Sequence, residues 1–237
     1  MHAVILAGGK GTRLLPYTLN FPKPLVPVGD YPIMEIVVRQ LRQAGFGRLT
    51  ILSGHLADLI QAYFGDGARW GVQIEYVREQ RPLNTAGALR LVSNPSPDML
   101  VMNGDILTTM DFRGLFDRHL EKGAAATVAT VRREHHVDFG VIESDGDGFL
   151  AHYREKPVLD YTVSMGVYVL QRRCVDLIAP DEALGMPDLL LRVRDSGQRV
   201  YCAREPGYWL DIGRVDDYEE AQRQFADNPG RFVPSHG

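Results

Sequence analysis

A mostly parallel α/β sheet with helices on both faces is the fold the sequence predicts, and three observations carry it. Short apolar, β-branched-rich runs alternate with helix-period patterns through the first half of the chain. A glycine-rich loop follows the first of those runs directly, at the strand end where sheets of this class hold ligands. In the second half the pattern changes to strands separated by short turns, which predicts an antiparallel portion added to, or lying across, the sheet edge.

The elements follow in order. "HAVILA" is a buried strand, and "PIMEIVVRQLRQAG" is a helix in which Ile33, Val37, Leu41 and Ala44 share a face and Gly45 ends the run. "RLTILSG" is the next strand, followed by the helix "LADLIQAYFG" with Leu56, Leu59, Ile60 and Tyr63 on one side. "VQIEYVRE" is a third strand, "TAGALRLVSN" a helix and "MLVMNGD" a fourth strand. Such alternation gives parallel strands joined by right-handed crossovers. "AATVATVR", "FGVIESD", "FLAHYREKP" and "YTVSMGVYVL" are the later strands, with "DGDG" as a turn. "MPDLLLRVRDSG" and "VDDYEEAQRQFA" are the remaining helices, the second with Asp216 and Asp217 favourably near its start. No linker or internal repeat divides residues 1–237, so one domain is expected, with a loose Pro/Gly/Ser-rich tail at 229–237.

Composition excludes several classes of function. A net charge of −4 provides no bulk attraction for nucleic acid or an anionic membrane, so any phosphate binding must be local. No apolar run is long enough to cross a bilayer, and Met1 leads into "AVILAGG" without a secretory leader, which points to the cytoplasm. Cys174 and Cys202 lie far apart without His or Cys at metal-ligand spacing, and read as reduced thiols. His135 and His136 read as solvated loop residues, and Tyr63, Phe64 and Trp70 as core packing.

The loop "LAGGKGTR" provides Gly8, Gly9 and Gly11, whose backbone can approach a phosphate and point N–H groups at it. It is not the dinucleotide fingerprint G-x-G-x-x-G, because counting from Gly9 the last position is Leu14. It is not the P-loop either, for no Gly-Lys-Ser/Thr triplet follows. Arg13 comes next, and then Lys23 held between Pro22 and Pro24. Each cation alone fits a solvated loop. A braced lysine beside a glycine loop and an arginine fits phosphoryl transfer instead.

"LAGGKGTRLLPYTLNFPKPLVPV" resembles the signature of the sugar-1-phosphate nucleotidyltransferases, and five further regions match in the family's order. "EQRPLNTAGAL" resembles the base-contacting segment, "VMNGDI" the metal-binding strand end, and "DFGVIES" with "REKP" the sugar site. "SMGVYVL" resembles a further sugar-contacting strand and "YWLDIG" the second metal carboxylate. The resemblance implies a Rossmann-like domain, and with no hexapeptide repeats after the last helix no C-terminal β-helix is expected. Residues 1–110 form roughly its nucleotide half and 111–228 its sugar half. It implies Mg²⁺-dependent joining of a nucleoside triphosphate to a sugar 1-phosphate, giving a nucleotide-sugar and pyrophosphate.

The roles implied fall on particular residues. Leu6, Ala7, Gly8, Gly9, Gly11, Thr12, Glu79, Asn84, Thr85 and Gly104 would hold the nucleotide. Arg13 and Lys23 would be the catalytic cations on its phosphates, and Asp105 and Asp211 the Mg²⁺ carboxylates. Without the resemblance, Asp105 would read as a cap after a strand. Gly140, Glu155, Lys156, Ser164 and Gly166 would take the sugar phosphate, although either glycine could be a bulge. Two departures stand out: Asn84 replaces the usual glycine, and Ser164–Met165–Gly166 replaces Asn-Ala-Gly.

"GDGARWGVQIEY" and "GYWLDIGRVDDYEEA" look most like the short guanylyltransferases acting on mannose- or heptose-type 1-phosphates. A uridylyl- or thymidylyltransferase is the nearest alternative, and an idle nucleotide-sugar sensor the alternative of another class. The expected partners are GTP and a sugar 1-phosphate, with no nucleic acid or membrane, and a homo-oligomer is compatible with the reading.

Overall fold

The computed structural model describes residues 1–233. In chain order the strands are β1 (His2–Ala7), β2 (Pro27–Val28), β3 (Tyr31–Pro32), β4 (Arg48–Ser53), β5 (Gln73–Arg78), β6 (Asp98–Asn103), β7 (Ile106–Thr108), β8 (Ala126–His136), β9 (Val141–Ser144), β10 (Leu150–Arg154), β11 (Val158–Gln171), β12 (Val200–Arg204) and β13 (Trp209–Asp211). The helices are α1 (Ile33–Gln43), α2 (Ala57–Phe64), α3 (Asn84–Gly87), α4 (Phe112–Lys122), α5 (Arg172–Val175), α6 (Met186–Asp195) and α7 (Val215–Asp227).

The main sheet has seven strands in the order β12–β8–β11–β6–β1–β4–β5. Six of them run the same way. The antiparallel contribution is β11, which lies between β6 and β8. The β9–β10 hairpin pairs only with itself and stands apart from this sheet. Because β1 is central, both its faces are covered. Ala3, Ile5 and Ala7 enter one apolar layer, and Val4 enters the other. Met34, Val37 and Leu41 of α1, with Phe64, Phe112 and Phe116, complete the first layer. Leu83, Leu89, Cys174, Leu189 and Val193 complete the second. Tyr63, Phe64 and Trp70 pack together, with ring centroids 4.9, 5.0 and 5.9 Å apart.

A third apolar cluster matters more for function. Leu14, Val26 and Val28 meet Leu107, Ile212, Tyr218, Phe225 and Phe232, and so fasten the glycine loop's exit to β7, β13 and α7.

Three expectations are refined by the structure. "TAGALRLVSN" forms the single turn α3 and then a 3₁₀ turn, Ala88–Leu91, not one helix. The Ala86 and Gly87 N–H groups both donate to the Leu184 carbonyl (2.9 and 3.0 Å), so tertiary bonding takes the donors a longer helix would use. Helix α4 went unread in the sequence, although Asp111 caps it by accepting the Gly114 N–H (2.9 Å) and Gly123 ends it at φ +56°. The supposed loose tail is packed as far as Phe232, which is buried and stacked on Phe225, while residues 234–237 lie outside the described part.

His2 provides a first prediction. The Ser96 N–H points at its Nδ1 (3.5 Å), so Nε2 carries the proton and donates to Thr50 Oγ1 (2.9 Å). Burial, aided by Arg48, lowers its pKa from 6.5 to about 4. A depressed histidine stabilises the fold above 6.5, and that contribution is lost as pH falls toward 4. Stability at pH 4 is therefore expected to be lower by on the order of 3 kcal/mol from this group. His119, buried and also depressed, acts in the same direction. Urea unfolding between pH 7 and 4 should show a flatter profile for His2→Gln. An unchanged slope would remove His2 as the cause.

Candidate active site

The site is built from the carboxyl ends of β1, β4, β5 and β6. A cavity of about 840 Å³ opens there, lined by Leu6, Gly8, Gly9, Lys10, Gly54, His55, Glu79, Gln80, Arg81, Pro82, Asn84, Thr85, Ala88, Asn103, Asp105 and Gly185. Glycine at position 8 leaves room for the Glu79 carboxylate, since an added Cβ would lie 2.5 Å from Glu79 Oε1 and displace it. Gly11 is required by backbone angle, with φ +64° at the entry to the 3₁₀ turn Thr12–Leu14.

Glu79 is fixed in place. Its N–H donates to Ser53 O (2.9 Å), and its Oε2 accepts the Leu83 N–H (3.1 Å). Asn84 adopts φ +59°, a left-handed angle that asparagine tolerates, so the turn survives the missing glycine. Thr85 lines the cavity, while its Oγ1 accepts the Met186 N–H (2.8 Å) and ties α3 to the start of α6.

A charged cluster gathers about Asp105 on the cavity wall. Asp105 lies in the connection from β6 to β7, and its carbonyl accepts the Ile212 N–H (3.1 Å). That bond and the β7–β13 pairing bring Asp211, 106 positions later in the chain, to the same place. Lys23 Nζ donates to Asp105 Oδ2 and lies 4.0 Å from Asp211 Oδ1. Burial, and then the Asp105 carboxylate, push the Asp211 carboxyl above the usual range, opposed by Lys23 and Arg13. Arg13 passes over Gly213, where an added Cβ would lie 3.5 Å from its Nη2. Gly104 allows β6 to close on β1, with its N–H donating to Leu6 O (2.9 Å).

Two carboxylates and a buried carboxylate oxygen without a partner among the described residues, Asp105 Oδ1, are what a hard divalent cation would use. Among the described residues no group of three or more His, Cys, Asp or Glu side chains could hold a metal. Any cation here must therefore take further ligands from phosphates or water, which is the usual habit of Mg²⁺.

The expected sugar residues are less closely gathered. Gly166, at φ +69°, lies against Asn103 of the cavity wall, 2.6 Å from Nδ2 to an added Cβ. Its N–H donates to Ser164 Oγ (3.2 Å), which donates to Tyr168 Oη (3.1 Å). Gly140, Glu155 and Lys156 lie at the β9–β10 hairpin and outside the cavity lining. Tyr153 Oη donates to Glu155 Oε2 (2.9 Å), and Lys156 is held at φ +41°. The structure thus brings Leu6, Gly8, Gly9, Glu79, Asn84, Thr85 and Asp105 onto one cavity. Lys23 and Asp211 stand beside Asp105, and the hairpin residues are separate.

Sequence reading did not single out Lys10, His55 or Asn103, all on the cavity wall, where Arg81 of the expected base-contacting segment also stands. His55 follows β4, so the rule that ligands sit at parallel strand ends could have found it. Arg81 is engaged at its far end with Asp181 (3.2 Å).

Comparison with known proteins gives the family and the fold's relatives. A family described as Nucleotidyl transferase matches residues 2–228. A UTP–glucose-1-phosphate uridylyltransferase from Synechocystis is 35% identical over 94% of this chain and 63% of its own length. A mannose-1-phosphate guanylyltransferase from Mycobacterium tuberculosis is 32% identical over 92% of this chain and 62% of its own. The chain thus spans just under two thirds of the length of these two relatives. A sucrose-bound Bacillus anthracis crystal structure, named for glucose-1-phosphate thymidylyl transfer, superposes with a TM-score of 0.77 at 25% identity over 96% of each chain.

Proposed function

Since the chain belongs to the nucleotidyl transferase family, we propose that it transfers a nucleotidyl group from a nucleoside triphosphate to a sugar 1-phosphate. A phosphate oxygen of the sugar attacks the α-phosphorus, the α–β bridging P–O bond breaks, and pyrophosphate leaves. The attacking oxygen is already anionic, so no general base is needed. The task is to bring anions together and to stabilise charge in line with the leaving group. The observation that carries the reading is the convergence of Asp105, Asp211 and Lys23 beside a glycine-walled cavity.

Each group has a task. The N–H groups of Gly8 to Gly11 line the approach for the triphosphate. Lys23 neutralises the α-phosphate, and Arg13, with its planar fork, takes the departing pyrophosphate. Asp105 and Asp211 are the residues that would hold Mg²⁺, which supplies charge neutralisation on the phosphate oxygens when bound. Lys156 on the hairpin takes the sugar's phosphate, and Glu155 accepts from its hydroxyls.

Guanine is the proposed base, with a mannose- or heptose-type 1-phosphate as acceptor. Supporting it is Glu79, whose Oε2 is engaged by Leu83 while Oε1 lies against Gly8 at the cavity wall. A carboxylate matches the adjacent N1–H and amino donors of guanine. Uracil and thymine offer one N–H between two carbonyl oxygens. The M. tuberculosis relative's name agrees with this choice, and the Synechocystis relative's name favours the uridylyl alternative.

The test is pyrophosphate release with Mg²⁺, across GTP, UTP, dTTP, CTP and ATP against a panel of hexose and heptose 1-phosphates. Release requiring both substrates, fastest with GTP, is expected. Binding of a nucleotide-sugar without turnover by any pair would leave a sensor in place of an enzyme. Glu79→Gln should raise the KM for GTP about tenfold and leave kcat nearly unchanged.

A further inference from the structure

We propose that Lys23 is an internal counter-cation, which closes the Asp105–Asp211 pair and must leave it before a divalent cation can enter. This inference rests on the reading of the two aspartates as metal ligands.

The geometry is that of a cation set into the pair, not of a lysine reaching for solvent. The Lys23 side chain is only 10% exposed, and its ammonium is bonded to Asp105 Oδ2 with Asp211 Oδ1 at 4.0 Å. Its backbone is set in a short 3₁₀ turn, Lys23–Leu25, preceded by Pro22 and containing Pro24. The Leu25 N–H donates to Pro22 O (2.8 Å) and the Val26 N–H to Lys23 O (3.1 Å), which holds the backbone from which the side-chain stem springs. Gly11 of the glycine loop lies against the same stem, with an added Cβ 3.2 Å from Lys23 Cβ.

Charge makes the lysine and the metal competitors. Two carboxylates near one another repel, and one ammonium between them offsets much of that cost. A divalent cation on the same carboxylates would stand within a few ångströms of the ammonium, like charge against like charge. That repulsion, on one carboxylate, favours withdrawal of the ammonium when the metal binds. Asp105 Oδ1, buried and without a partner among the described residues, is the position from which the exchange can begin. An arriving α-phosphate offers the displaced ammonium a new anionic partner at the end of a long, flexible side chain. Metal and nucleotide therefore enter as a coupled pair, and the nucleotide-free site resists free metal. Lys23 is in this sense a gate on the metal as well as a group on the phosphate.

The experiment is Mn²⁺ binding to the nucleotide-free full chain, followed by the EPR signal of free Mn²⁺. Wild type, Lys23→Gln, Lys23→Met and Lys23→Arg are compared, each with and without Asp105→Asn, with thermal melts confirming that each is folded. Lys23→Gln and Lys23→Met should bind Mn²⁺ about tenfold tighter than wild type, and Lys23→Arg should stay as weak as wild type. Asp105→Asn should abolish the tight site in every background. Equal affinity in all Lys23 variants, at a site still lost with Asp105→Asn, overturns the gate and leaves the metal reading intact. Binding indifferent to Asp105→Asn overturns the metal reading, and the gate with it. Wild-type crystals soaked in Mn²⁺ provide a check free of substitutions. The Lys23 ammonium should be found withdrawn from Asp105, and metal and ammonium together on that carboxylate would end the proposal.

Discussion

Asp105→Asn is expected to lower kcat about a thousandfold while leaving the protein folded and able to bind nucleotide. The substitution keeps the side chain's size and an oxygen that can still accept from Lys23. The main-chain bond from Ile212 N–H to the Asp105 carbonyl (3.1 Å) is untouched, so β7 and β13 stay together. Oδ1, which has no partner among the described residues, loses nothing in folding. What disappears is one of the two carboxylates that flank Lys23, and an amide cannot replace its charge. The base side of the cavity, at Gly8, Glu79 and Asn84, is not altered. The Kd of a non-hydrolysable GTP analogue without metal should therefore stay within about threefold of wild type. Steady-state pyrophosphate release and equilibrium binding together decide it. Turnover at wild-type rate would remove Asp105 from the reaction.

How much of this was legible in the sequence differs from element to element, for physical reasons. β1, β4 and β6 are buried on both faces, so their continuous apolar runs announced them. α1 announced itself by a strict apolar stripe at Ile33, Val37 and Leu41. The glycine loop was legible because Gly8 and Gly11 answer to space and backbone angle, which few other residues satisfy. Helix α4 was not, because its apolar face is short and broken by His119, which is buried on Thr127 and Asp98. The short strands β7 and β13 were also illegible. They pair with each other over three positions, and no local period marks a contact between residues about 100 apart. That pairing is what unites Asp105 with Asp211, so the proposed metal pair came from family resemblance and not from pattern. Asn103 was missed for a similar reason. Its significance lies in touching Gly166 on a strand that neighbours β6 only through the fold.

Gly87→Ala should destabilise the protein by about 2–3 kcal/mol, which lowers the melting temperature by about 5–10 °C for a chain of this size. Gly87 has ordinary helical angles (φ −56°), so alanine meets no backbone penalty. The cost is one of space. An added Cβ would stand 2.2 Å from the Glu182 carbonyl oxygen and 3.1 Å from the Leu184 nitrogen, both main-chain atoms with no rotamer to yield. Relief requires the 182–185 segment to move away from α3. That segment accepts the Ala86 and Gly87 N–H groups at Leu184, donates from Leu184 to Leu83 O (3.0 Å), and puts Gly185 on the cavity wall. The Thr85–Met186 bond would stretch with it, and Asn84 would lose its register against Glu79. Nucleotide affinity should consequently fall about tenfold along with stability, although residue 87 does not line the cavity. Gly47→Ala is the control, since nothing lies within 4 Å of its added Cβ and its φ is not in the left-handed range. Melting curves and binding of a fluorescent GTP analogue should separate the two variants on both axes. If Gly87→Ala melts and binds as Gly47→Ala does, the close seating of α3 on the loop before α6 is not what holds the base side of the site.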